Sequence, residues 1–159
     1  LRYYIIALIV FLLDQATKWL IVKNLALGET ISVIGEFFQI TSHRNRGAAF
    51  SILQNQRWFL IAMTLVIVVG ILFYLNRTRK TDQRWLSMGL ALVLGGAIGN
   101  FLDRLLFGEV VDFLMFHFEF INYTYPIFNI ADSAIVIGVI CIFIDSIIAW
   151  KKEKRGTAS

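Results

Sequence analysis

The sequence predicts an all-α polytopic membrane protein: four transmembrane helices, with short strands and an interfacial helix in the first outer segment. Three observations carry this. Of 159 residues, 58% are hydrophobic and only 16% charged, where a soluble domain carries about 25% charge. Mean hydropathy is +0.71. Four apolar stretches, residues 3–22, 58–75, 85–106 and 127–150, are each long enough for a hydrocarbon core of about 30 Å, which takes ~20 helical residues.

The first stretch is read as a retained helix and not a cleaved leader. It is long, carries Asp14 and Lys18, and has no small-residue cleavage pattern after it. Its outer continuation, residues 23–56, is too long for a turn. There "ETISVIGEFFQITSH" alternates Ile31 and Val33 with Ser32, which predicts one or two short strands around Gly35. The following "GAAFSILQNQ" has helical apolar spacing and is expected to lie along the membrane surface. The second and third stretches are joined by a short link holding Arg77, Arg79, Lys80 and Arg84. In the third, Gly95 and Gly99 stand four apart, a spacing that lets helices approach closely in lipid. Residues 107–126 are rich in Phe and Tyr, which favour the headgroup level, as anchors or as substrate contacts. Pro126 suits the first turn of helix four. No repeat or linker is visible, so one integral membrane domain over 1–159 is expected.

Charge sets topology. The link cluster and Lys151, Lys152, Lys154 and Arg155 place both segments, and with them both termini, in the cytoplasm. The net charge of +4 therefore implies no nucleic acid. Arg44, Arg46 and Arg57 of the first outer segment run against this rule and are expected to be needed there. The single cysteine, Cys141, permits no internal disulfide and reads as packing. His43 and His117 are isolated, so no metal site is expected.

The polar residues inside the helices gather in one layer. At ~1.5 Å per residue, Asp14 lies about 17 Å above the inner surface, and Asn100, Asp103 and Arg104 lie roughly 22–29 Å above it. Helix four runs back down, so Asn129 and Asp132 lie about 3–8 Å below the outer surface. Polar groups at such depth usually mark a functional site. Asp14 and Lys18, four apart, are able to pair with one another. Asp103 and Arg104 read as a helix-end ion pair, a headgroup contact or part of the site. Asp145, ~20 Å below Asp132, reads as an interfacial bystander. Asn45 sits where asparagine often turns a loop.

No serine lies in a nucleophile-elbow context, which leaves a chemistry of two carboxylates. Asp112 and Asp132 are twenty residues apart, and the segment between them returns to the same face. At ~4 Å two full charges repel by about 4 kcal/mol at an effective dielectric of 20. They would then share a proton, one activating a water and the other protonating a carbonyl oxygen. Asn129, three residues before Asp132, would orient a carboxylate or the substrate. A small proton or ion transporter is the alternative, but it predicts acidic groups spread through the bilayer depth. A structural subunit has little use for two buried carboxylates.

Five ordered motifs, "DQATK" (14–18), "NRGAAF" (45–50), "GNFLDR" (99–104), "VVDF" (110–113) and "FNIADS" (128–133), resemble those of bacterial lipoprotein signal peptidase, an aspartic membrane protease family. The resemblance covers essentially the whole chain, and no motif position departs from the pattern. It implies an endopeptidase of the bacterial inner membrane that removes signal peptides from diacylglyceryl-modified prolipoproteins, just before the lipidated cysteine. It places Asp112 and Asp132 on the catalytic pair and Asn129 on their support. Asp14, Lys18, Asn45, Gly99, Asn100, Asp103, Arg104 and Ala131 fall on positions that build the site and hold substrate. It also implies four transmembrane helices under a small extracytoplasmic β-platform, no metal or organic cofactor, contact with membrane lipid, and inhibition by cyclic peptide or macrolactam antibiotics. A monomer is expected.

Overall fold

The structure, a computed structural model, describes residues 1–47, 52–81 and 83–156. Four helices are long and apolar enough to cross a membrane: α1 (Arg2–Asn24), α2 (Arg57–Thr78), α3 (Arg84–Phe107) and α4 (Ile130–Gly156). Helix α3 is central. Its span is 61% buried inside the protein against 17–22% for the others, and it packs against all three. The buried residues of α1, Tyr3, Ala7, Asp14, Lys18 and Ile21, follow the three-to-four spacing of one helix face. Its other faces leave Ile5, Leu8, Ile9, Leu12 and Leu13 exposed, as lipid requires and water would not permit.

Glycine brings the helices together. A Cβ on Gly89 of α3 would run into the Gly138 carbonyl of α4, one on Gly96 into the Ala131 carbonyl, and one on Gly99 into the Asp14 carboxylate. Replacing Gly89 or Gly96 would push α3 and α4 apart, and replacing Gly99 would displace the Asp14 carboxylate. At the opposite end, Asp145 of α4 accepts the Leu86 N–H in the first turn of α3 at 3.3 Å. This anionic cap from a neighbouring helix satisfies a donor that α3 itself leaves open.

The segments joining α1 to α2 and α3 to α4 form an antiparallel sheet of order β1–β2–β3–β4, built from Thr30–Ile34, Phe38–Asn45, Val110–Phe118 and Tyr123–Thr124. The first two strands bracket the turn at Gly35, whose φ of 52° suits glycine. Gly108, at φ 80°, closes α3 and delivers the chain straight into β3. β2 pairs with β3 so that His43 faces Asp112 and Asn45 faces Val110. Phe128 then bonds back to β3, accepting the Leu114 N–H at 2.8 Å and donating to the Leu114 carbonyl at 3.1 Å. That bridge sets the start of α4 beside Asp112. Phe116 stacks between Phe38 and Phe128, with centroids at 4.8 and 5.9 Å.

Two expectations need correction, and two more are refined by the structure. The fold is not all-α: the segments joining α1 to α2 and α3 to α4 form a four-stranded sheet, and the aromatic segment expected to rest on the interface contains its longest strand, β3, nine residues. Helix four begins at Ile130 and not at 127, because Phe128 is held in the sheet; Pro126 lies outside the helix. The surface helix expected in "GAAFSILQNQ" falls partly on residues 48–51, outside the described residues, and 52–55 form a turn with Leu53 and Asn55 at φ 58° and 61°. Arg44, Arg46 and Arg57 serve the scaffold. Arg57 donates to the carbonyls of Arg104 and Leu105 at 2.9 Å, capping α3, while Arg46 and Arg44 pair with Glu109 at 3.1 and 3.8 Å.

Candidate active site

Asp112 is the third residue of β3, and its side chain is almost wholly buried (1% exposed). Two amides hold it. Asn129 Nδ2 donates to Oδ1 at 2.7 Å, and Asn45 Nδ2 donates to Oδ2 at 3.1 Å. Asn45 Oδ1 accepts the Gly47 N–H at 2.9 Å, which turns its amide nitrogen toward the carboxylate. Burial first, and then the neighbouring Asp132 charge, push the Asp112 pKa up to about 7. The two amide bonds and the more distant Lys18 oppose that rise.

Asp132 stands in the first turn of α4. Asn129 precedes that helix and caps it: its Oδ1 accepts the Asp132 N–H at 2.9 Å, while Asp132 Oδ2 accepts the Asn129 N–H at 3.2 Å. This reciprocal pair has the logic of a capping box. It also fixes the amide orientation, since Oδ1 is occupied by the helix and Nδ2 is left for Asp112. The relation of Asn129 to Asp132 is thus a cap, and not two side chains sharing a helix face as the spacing suggested. The Asp132 carboxylate accepts a second bond at Oδ1, from Asn100 Nδ2 at 2.8 Å.

Beneath the pair lies a buried ionic cluster. Lys18 (3% exposed) contacts Asp14 Oδ2 at 2.8 Å, Asp103 Oδ2 at 2.9 Å and Asn100 Oδ1 at 2.9 Å. Asp14 Oδ1 accepts the Ala131 N–H at 2.9 Å, and Asp103 Oδ2 accepts the Val111 N–H at 3.3 Å. The expected Asp14–Lys18 pair is present. Asp103, however, pairs with Lys18 and not with Arg104, which donates instead to the Gly47 carbonyl at 2.8 Å. Gly99 leaves the space that the Asp14 carboxylate fills.

Asp112 and Asp132 face a common cavity of about 780 Å³, whose polar wall also holds His43, Asn45, Asn100 and Arg104. Its apolar wall runs down between α2 and α4 through Met63, Ile67, Ile135 and Val136. A carboxyl protonated below about pH 7 and a second carboxylate on one cavity form an acid–base pair suited to water activation. Among the described residues, no group of three or more His, Cys, Asp or Glu side chains is placed to hold a metal ion.

All eleven residues singled out from the sequence lie in this network. Asp145, read as a bystander, lies outside it but has a scaffold role as the α3 cap. Two participants were missed. Gln15 bridges Asp103 at 3.0 Å and Asp14 at 3.2 Å, and its polarity inside an apolar run was the available signal. His43 lines the cavity opposite Asp112; only strand register reveals it.

Comparison with known proteins bears on the family and the fold. The signal peptidase (SPase) II family matches residues 6–148. A lipoprotein signal peptidase of Bacillus pumilus (strain SAFR-032) is 56% identical over 155 residues, covering 98% of each chain. A bacterial membrane enzyme solved at 2.3 Å superposes with TM-score 0.83 at 38% identity, covering 96% of this chain and 89% of the other. A second, solved at 1.9 Å, gives 0.78 at 39% identity over 90% of each. With matches running over nearly its whole length, this multi-pass chain belongs to the signal peptidase II family of membrane proteases.

Proposed function

We propose that the chain is an aspartic endopeptidase that removes the signal peptide from diacylglyceryl-modified prolipoproteins, cutting before the lipidated cysteine. The observation that carries this reading is the meeting of Asp112, from a strand, and Asp132, from a helix end, on one cavity. The cavity's apolar wall between α2 and α4 suits a substrate that is itself a membrane helix. Both termini are cytoplasmic, the sheet lies on the outer face, and these residues act as one peptidase domain with no cofactor.

In the reactive state Asp112 is neutral and Asp132 ionised. Asp132 takes a proton from a water lying between them as its oxygen attacks the scissile carbonyl carbon. Asp112 gives its proton to the carbonyl oxygen, forming a neutral gem-diol. Collapse returns a diol proton to Asp112, Asp132 protonates the departing nitrogen, and the C–N bond breaks. Sharing one proton avoids two adjacent buried charges. Asn129, Asn45 and Asn100 hold the carboxyls in place, a positioning effect on which dyad chemistry depends. Arg104 Nε, buried and without a hydrogen-bond partner among the described residues, is available to a substrate carbonyl. Family inhibitors of the cyclic peptide or macrolactam type would occupy the same cavity.

The test is cleavage of a synthetic prolipoprotein segment with and without diacylglycerol on its cysteine, read by mass spectrometry. The lipidated segment should be cut immediately before the cysteine and the unlipidated one left largely intact. Equal cleavage of both would remove the lipid from the specificity, and cleavage at another bond would overturn the substrate assignment.

A further inference from the structure

We propose that Lys18 is a positioning residue that sets both the separation of Asp112 and Asp132 and the direction in which the Asn100 amide points. The proposal rests on the dyad reading above and adds to it a single buried ammonium that controls both carboxyls.

An ammonium has three N–H donors and no acceptor. Those of Lys18 meet three acceptors within 2.9 Å: Asp14, Asp103 and Asn100. Each acceptor leads on to the dyad. Asp14 holds the N–H of Ala131, the residue before Asp132. Asp103 holds the N–H of Val111, the residue before Asp112. The two dyad strands of chain are thus gripped at equivalent points by two carboxylates, and Lys18 ties those carboxylates together. The third route fixes polarity. Lys18 only donates, and Asn129 Nδ2 donates to the same Oδ1 at 3.1 Å, so Asn100 turns Oδ1 toward both and Nδ2 toward Asp132, where it donates at 2.8 Å. A flipped amide would set two acceptors against each other.

A packing role alone explains this arrangement poorly. An ion pair of Lys18 with Asp14 would complete the α1 face without any other element. Instead one cation serves two carboxylates and an amide from α3, and buried charges of this kind often stabilise less than apolar residues of similar size. Gln15 adds a second bridge between Asp14 and Asp103, which reinforces the same spacing. Charged and titratable groups facing the dyad are Lys18 and Asp14 from α1, Asp103 and Arg104 from α3, and His43 from β2.

The experiment compares wild type, Lys18→Met, Lys18→Gln and Asp112→Asn, purified together, on the lipidated segment. Lys18→Met should lower kcat on the order of 10²-fold, the effect of a misplacement near 1 Å, with KM little changed. Lys18→Gln keeps an N–H for Asn100 and should recover part of kcat. Both variants lack the positive charge that draws the Asp112 pKa down, so the kcat–pH profile should move to higher pH in both. Recovered rate without a recovered profile is a signature that loss of fold does not produce. Should Lys18→Met fail to fold, Lys18→Gln carries the test through its profile and its rate against wild type. Equal rates for the two variants, an unmoved profile, or a loss confined to KM would overturn the proposal. If that happens while Asp112→Asn is inactive, only the Lys18 role falls; activity in Asp112→Asn would instead overturn the dyad.

Discussion

Replacing Asp112 by Asn should make the protein more stable as it makes it inactive, and the gain should depend on pH. The Asp112 pKa is about 7 in the fold against an ordinary 3.8. Between those values the unfolded chain has released a proton that the folded chain retains, so stability falls as pH rises and levels off above about 7. At ~1.4 kcal/mol per unit, the penalty is about 2 kcal/mol at pH 5 and about 4 kcal/mol at pH 8. Asn lacks the charge but also loses an acceptor. Of the two donors, at 2.7 Å from Asn129 and 3.1 Å from Asn45, one must face the new NH₂ group, at a cost of about 1–2 kcal/mol. The net expectation is no appreciable difference at pH 5 and a gain of about 2–3 kcal/mol at pH 8, on the order of 5 °C in Tm. Cys141, 7% exposed and the only cysteine, makes the measurement direct, because a thiol-reactive fluorogenic dye reports unfolding in detergent. A variant no more stable than wild type at pH 8, or a difference equal at pH 5 and pH 8, would refute the reasoning.

Gly99→Ala drives a methyl group into the Asp14 carboxylate; turnover should fall at least tenfold, on the order of the positioning losses seen for small displacements, and wild-type kcat would contradict the close approach. Asp145→Asn weakens the cap on α3 at the far end of the molecule. It should cost about 0.3–1 kcal/mol of stability and leave kcat near wild type, so a large loss of turnover would mean that Asp145 takes part in the site. Activity of the unaltered enzyme should decline as pH rises through about 7, where Asp112 gives up the proton that the carbonyl oxygen needs; a rate rising steadily to pH 9 would assign the neutral role elsewhere.

The helices were legible because lipid leaves few choices: a run of ~20 apolar residues must satisfy its own backbone. Asp132 stood out for the same reason, since a carboxylate in such a run demands a purpose; Asp112 lies in a strand outside the helices, and its pairing with Asp132 for catalysis is a proposal. What sequence obscured was contact between distant segments. β3 looked like an interfacial loop because its partner, β2, lies over 60 residues away and the strand mixes aromatic and aliphatic residues on both faces. The start of α4 was misplaced because Pro126, Ile127 and Phe128 extend the apolar run, while hydrogen bonds between Phe128 and Leu114 bridge the chain to β3 and keep it out of the helix. Asn129 then becomes a cap, which its type allowed and its apparent position inside a helix concealed. The role of Asp145 depends on α3 beginning beside it, and that of Gln15 on two carboxylates from different helices. Residue identity at a site shows early; the direction of each hydrogen bond waits for the fold.

The central claim is that Asp112 and Asp132 together activate the water that cuts the peptide. Single-turnover cleavage of a lipidated prolipoprotein segment by Asp112→Asn and by Asp132→Asn, each shown to be folded by its Cys141 melting curve, tests it most directly. The account predicts no detectable product from either variant, with the substrate still bound. Substantial cleavage by either one would contradict it.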